Sequence, residues 1–186
     1  MIAYKGFNAD LTCTMGNGKY QYEPNRWFEE KEANCVKNGF HCAADPLDCM
    51  DYYGDWDSSQ YWMVQVDGDI DEDGYNTKIS ATRIRLLRRL NIVEFLAHAV
   101  SYICEHPRLQ MNRRVKTENC KAKDTDKFLI VRNGTPAAMA SKAGQYLVLL
   151  KDDEDGKVQA AGLYDIDGKN MFPGVWYNVE GRTGCS

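Results

Sequence analysis

Apolar and polar residues alternate along much of this chain in short runs, the two-residue period of half-buried strands. Ile2-Ala-Tyr-Lys-Gly-Phe7 reads as a strand that leaves through Gly6, and a turn follows at Met15–Gly18. Lys19–Glu23 and Arg26–Glu30 read as two more short strands, and an Asn38-Gly39 turn leads into Phe40–Ala43. Asp45-Pro46-Leu47-Asp48 opens a helix: Asp45 suits the N-cap, Pro46 the first helical position, and Asp48 the positive end of the dipole. That helix is expected to be short and to stop near Tyr53-Gly54. Tyr61–Val66 alternates as a strand, closed by an acidic turn from Asp67 to Gly74. In Lys78–Leu87, Ile84 and Leu86 alternate with Arg83 and Arg85, giving one apolar and one basic face. A single long helix from Ser80 is the rival reading, but Asn91-Ile-Val-Glu94 has the form of a capping box and predicts a break there. Ile92, Leu96, Ala99, Val100 and Ile103 then share one helical face up to His106-Pro107.

After that helix, Arg108–Lys127 is polar, basic and without period, as expected of a loop. Phe128–Arg132, Gln145–Lys151 and Val158–Ile166 read as strands, with a final hairpin ending at Trp176-Tyr177. The elements predict an α+β fold, a mostly antiparallel sheet with two inserted helices at about 46–53 and 92–105 and a C-terminal β-hairpin region. Residues 1–135 form the main domain in this reading, with a basic excursion over 108–127. Residues 136–186 form a C-terminal β-subdomain packed on it. No internal repeat is visible.

Composition changes little until charge is divided along the chain. The 186 residues are 44% hydrophobic and 27% charged, enough for a sizeable core. The formal net charge of −4 hides a polarity. Residues 1–75 hold 5 basic and 15 acidic side chains, residues 76–132 hold 13 and 5, and residues 133–186 hold 5 and 7. Arg83, Arg85, Arg88, Arg89, Arg113, Arg114 and Lys116 lie in the basic block. Two readings stay open for it: a footprint for nucleic acid or an acidic protein, or a block whose charges are met by the chain's own acidic half. Asp69-Ile-Asp-Glu-Asp73-Gly74 has the opening of a calcium loop, but Ser80 stands where the bidentate Glu belongs, so a solvated hairpin turn is the simpler expectation. No apolar run reaches a membrane span and no signal-peptide core precedes the first strand, so no membrane role is expected.

The candidate chemistry is sparse. Seven cysteines (13, 35, 42, 49, 104, 120 and 185) show no CxxC spacing. They read as reduced, mostly core thiols, with a disulfide or zinc site as the rival, and no metal site is assigned. No GxSxG, HExxH or GxxxxGK[ST] occurs. His98 lies beside an apolar helical face and His106 at a helix C-terminus. His41, at a strand end before a helix start, is the histidine placed to act. Cys42 follows it, but strand neighbours point to opposite faces, which argues against a nucleophilic pair. Trp27, Trp56, Trp62, Tyr52 and Tyr53 are large aromatics suited to core packing or to contact hot spots, and Tyr52 and Trp56 are the binding candidates among them.

Tyr4-Lys5-Gly6-Phe7, Gly39-Phe40-His41-Cys42, Pro46-Leu47-Asp48, Tyr52-Tyr53 and Trp176-Tyr177 occur in that order. Together they resemble a domain family of unknown function common in bacteriophage and prophage genomes, here without its usual Ser/Ala/Thr/Asn/Gly repeat array. The resemblance implies a phage-encoded accessory protein acting in the host cytoplasm. Its expected role is a counter-defence, anti-CRISPR-type inhibitor that binds a host protein such as a CRISPR effector nuclease, with nucleic acid touched through 76–132 and no cofactor needed. A second, fold-level resemblance is to ADP-ribosyltransferases, in which a strand like Asn38–Ala43 precedes a helix beside an NAD pocket. It implies His41, Lys5 and Tyr53 as catalytic candidates, His41 at the position that stacks on nicotinamide, with NAD as cofactor. The chain lacks that family's STS and ExE motifs, so an inactive NAD-binding descendant belongs to the same alternative.

Overall fold

Strands make up 47% of the chain and helix 12%, so the fold is mostly β. The computed structural model describes residues 1–14, 18–35, 37–72, 74, 76–107 and 111–181. Two compact units divide it, Met1–Ala99 and Val100–Ser186.

In the first unit the strands are β1 (Ile2–Asn8), β2 (Thr12–Cys13), β3 (Tyr20–Gln21), β4 (Trp27–Glu29), β5 (Phe40–Ala43), β6 (Ser59–Glu72) and β7 (Lys78–Leu90). β1 pairs with β5 and β6, and β7 pairs with β5 on one edge and β6 on the other, all antiparallel. These pairings form a closed circuit, and β4 extends β7 beyond β5 through Trp27↔Arg85 and Glu29↔Arg83. Closing a sheet on itself removes open edges, and register shifts in β6 at Met63/Val64 and Asp67/Ile70 supply the local bending that closure needs. Gly68, at φ +77°, sits in the second irregularity, where an added Cβ would lie 2.1 Å from the Thr82 hydroxyl. Ala3, Phe7, Phe40, Cys42, Val64, Val66, Ile79, Ala81, Ile84 and Leu86 share the core with Tyr22 and Phe28.

The expectation of two inserted helices is corrected. Pro46–Asp51 is a six-residue 3-10 helix, capped as expected by Asp45, whose carboxylate accepts from the Leu47 amide at 2.9 Å. It goes no further because Pro46 through Met50 are all buried, which no one-sided α-helix allows. The Asp48 carboxylate accepts instead from the Thr77 amide and hydroxyl, at 2.9 and 2.7 Å. The acidic stretch after Val66 is strand rather than turn as far as Glu72, with Ile70, Asp71 and Glu72 opposite Ala81, Ser80 and Ile79. β-pairing thus extends past the expected boundaries at both ends of this hairpin. The one α-helix among the described residues, α1 (Ile92–Glu105), starts at the expected capping box: the Glu94 amide donates to the Asn91 side chain and the Asn91 amide to the Glu94 carboxylate, both at 2.9 Å. The boundary between the two units falls within α1.

The second unit adds β8 (Val115–Lys116), β9 (Cys120–Lys121), β10 (Phe128–Asn133), β11 (Ala137–Met139), β12 (Gln145–Asp152), β13 (Val158–Ile166) and β14 (Trp176–Asn178). One sheet runs β13-β12-β10-β8 and another β14-β11-β9. β10 runs parallel to both β12 and β8, and β11 parallel to β9. A division at 135/136 would therefore separate β10 from its partner β12. The basic stretch 111–127 is also not a plain loop, since it supplies β8 and β9.

Candidate ligand pocket

The first unit forms a half-open cavity of about 450 Å³, built where β1 and β5 meet the 3-10 helix. Strand alternation sets its chemistry. Ala3, Lys5 and Phe7 point to the same side of β1, so a lysine takes the middle place in an otherwise apolar row. Lys5 is 7% exposed. Its ammonium donates to the His41 carbonyl and lies 5.5 Å from the ring centroids of Phe7 and of Tyr22. Among the described residues no carboxylate forms an ion pair with it.

On the other side of β1, Gly6 lets the Tyr53 ring lie against the backbone: a Cβ there would come within 2.7 Å of that ring. Tyr53 is 8% exposed, and its hydroxyl, beside the Cys13 thiol, makes no hydrogen bond of ordinary geometry among the described residues. Burial, and then the neighbouring thiol, push this phenol above its ordinary range. Burial does the same to Tyr22 and Cys49, and it pushes the Cys42 thiol up to about 12 against the opposing pull of the Lys5 charge. Cys42 and Cys49 are therefore protonated and poor nucleophiles at neutral pH. Tyr20 and Tyr52 stand exposed in its lining, and the Lys78 ammonium donates to the Tyr52 hydroxyl at 2.9 Å and lies over that ring. With Tyr22, Tyr53, Cys42 and Cys49 protonated, aromatic walls and a buried cation, the arrangement suits holding a ligand more than attacking one.

Three sequence candidates, Lys5, His41 and Tyr53, converge on this cavity, and Tyr52 joins them. His41 contributes its carbonyl to Lys5. Trp56 does not reach the lining; its ring stacks on Tyr61 at 4.7 Å and meets Phe95 edge-on. The arginine strip of β7 is largely engaged. Arg83 pairs with Glu29 and Asp67 at 3.0 and 3.1 Å, Arg88 with Glu94, and Arg85 donates to Gln65 at 2.7 Å. Arg83 and Arg85 both lie over the Trp27 ring. Arg89 is exposed. Arg113, Arg114 and Lys116 belong to the second unit, where Lys116 donates to the Arg113 carbonyl. Sequence reasoning missed Tyr20, Tyr22 and Lys78 as parts of one site. The Tyr-x-Tyr alternation over 20–22 was the available signal, but it does not tell which strand it will face.

No curated protein and no solved structure is detectably similar to this chain. Residues 1–98, nearly the whole of the unit that holds the pocket, match a domain of unknown function, DUF7666. The chain belongs to the DUF7666 family.

Proposed function

We propose that the DUF7666 unit is a binding module for a small organic molecule, which it takes into the cavity between β1, β5 and the 3-10 helix. One observation carries this reading: a cavity of about 450 Å³, walled by Tyr20, Tyr22, Phe40, Tyr52 and Tyr53, gathers the few polar groups that singled themselves out in the sequence. Known small-molecule sites have this size and this mixture of aromatic wall and sparse polar anchors. In the phage-encoded setting that the motif pattern implies, a counter-defence role would run through capture of a small host molecule. A grip on an effector through the β7 arginines is the weaker route, because Arg83 and Arg88 would first have to give up carboxylates they already hold.

A second reading makes NAD the ligand. It is favoured by the convergence of Lys5, His41 and Tyr53, with Glu30 as a carboxylate in the lining. A two-dimensional NMR titration of the full chain with ring-bearing small molecules, NAD and ADP-ribose among them, tests both. The module predicts saturable shifts confined to residues around 5, 20–22, 40–42 and 52–53. If no compound moves those resonances, the module reading falls. If other compounds do and NAD and ADP-ribose do not, the NAD reading falls alone.

A further inference from the structure

We propose that the cavity is an anion receptor, taking a carboxylate or phosphate monoester carried on a flat ring, with the charged end held by the Lys5 ammonium and the Tyr53 hydroxyl. This rests on the binding-module reading and names its ligand class. An ammonium has three protons to donate, and the described residues offer that of Lys5 one carbonyl, His41, and two ring faces. A buried cation left so poorly compensated is costly, and an apolar residue would continue the Ala3–Phe7 row at less cost. Tyr53 adds a hydroxyl in the same lining that makes no hydrogen bond of ordinary geometry among the described residues, held there by the absence of a side chain at Gly6.

Although the Tyr53 ring packs on the opposite side of β1, its phenol shares the lining with Lys5 and feels that charge. Two donors in one lining call for a ligand group that only accepts, of which an anion is the strongest. The acidic residues of the lining do not cancel this. Asp48 is taken up by the Thr77 amide and hydroxyl, and Glu30 is an exposed residue. Tyr20 and Tyr52, 39% and 38% exposed, offer ring faces to the ligand's flat part, and Lys78 beside Tyr52 adds a second positive charge. A cationic ligand would meet both lysines.

The test compares 4-hydroxybenzoate, phenyl phosphate and the neutral 4-hydroxybenzyl alcohol by NMR titration of the full chain. At least one anion should bind about ten-fold or more tightly than the alcohol, and which of the two wins separates a carboxylate ligand from a phosphate one. Lys5→Met should erase that preference, and Tyr53→Phe should reduce it a few-fold. Should Lys5→Met not fold, Tyr53→Phe still carries the comparison, because that hydroxyl makes no hydrogen bond of ordinary geometry among the described residues. Equal binding of all three probes at the pocket resonances overturns the anion receptor and leaves the module standing. An anion preference that survives in every folded variant also overturns it. Failure of every probe to move the pocket resonances removes both readings.

Discussion

The two units treat buried polar groups in opposite ways. In the second, Gln145 is fully buried and uses its whole amide. Its carbonyl accepts from the Ser141 amide and hydroxyl and the Lys142 amide, and its NH2 donates to the Lys123 and Asp126 carbonyls at 2.7 and 2.8 Å. Arg132, 4% exposed, donates from Nε to both oxygens of Asp152 and from a terminal nitrogen to the Gly156 and Pro107 carbonyls. In the first unit, Lys5 and Tyr53 are also buried, at 7% and 8% exposed, and hold hydrogen-bonding capacity that the described residues do not use. Buried polar groups that tie loops to a sheet are structural, because their removal strands the groups they serve. Buried polar groups that face a cavity with capacity to spare point to something outside the chain.

The largest effect should therefore come from the second unit. Gln145→Leu leaves the Ser141 and Lys142 amides and the Asp126 carbonyl without that partner, while the Lys123 carbonyl keeps the Asp126 amide. At about 1–3 kcal/mol per buried unsatisfied group, the loss should reach about 3 kcal/mol. Urea denaturation of the full chain measures it, and the contrast breaks if the midpoint barely moves.

Gly6→Ala should come next, and it sharpens the comparison from the pocket side. The new methyl would meet the Tyr53 ring at 2.7 Å, so the ring must shift, at a cost of about 1–3 kcal/mol. The same shift carries the phenol away from its place in the lining. Ligand binding should fall together with stability here, whereas Gln145→Leu should leave affinity intact in the folded fraction. Denaturation and titration on the same two variants show whether the losses separate in this way.

Local signals in the sequence were legible because both partners of each interaction lie within a few residues. The Asn91/Glu94 box and the Asp45 cap are visible in four-residue windows and occur as read. The fold class was not legible, for two physical reasons. The 3-10 helix buries consecutive residues, so its pattern over 46–50 imitates the start of an α-helix without having a helical face. In β10 and β12, Leu129–Arg132 and Leu147–Leu150 are buried on both faces, so the two-residue alternation that marks a strand's orientation is lost. Their parallel pairing rests on contacts far apart in sequence. At the pocket, Lys5, His41 and Tyr53 were each visible as motif residues. That they share one cavity depends on β1 pairing with β5 and on a glycine opposite a tyrosine ring, neither of which has a signature in one sequence.

The buried thiols of Cys42 and Cys49 give a pH-dependent version of the contrast. An unfolded cysteine ionises near pH 8.5, whereas Cys42 in the fold is pushed up to about 12 by burial. Below about pH 8 the thiol is protonated in both states and its contribution is fully present. Between about 8.5 and 12 only the unfolded chain releases the proton, so stability falls as pH rises, by up to about 1.4 kcal/mol per pH unit for one thiol. Cys49 shifts in the same direction and steepens the fall. Urea midpoints at pH 7.5 and 9.5 should differ in wild type, and by less in Cys42→Val. An equal difference in both would assign the pH response to other groups.

The smallest effect on stability should be Tyr53→Phe, and that is what makes it informative. A buried hydroxyl with a normal partner usually contributes about 1 kcal/mol, and its deletion strands that partner. The Tyr53 hydroxyl has no such partner among the described residues, while its ring packs on Gly6 and is kept whole by phenylalanine. The change should lie within about 0.5 kcal/mol of zero, or be slightly stabilising. Lys5→Met removes a poorly compensated charge from the same core and should raise the melting temperature by a few degrees. If both variants melt like wild type or higher and still lose affinity for an anionic probe, the fold carries these two groups for the ligand and not for itself. A clear destabilisation by Tyr53→Phe would instead make the first unit's buried polar groups structural like Gln145, and the contrast between the units would be gone.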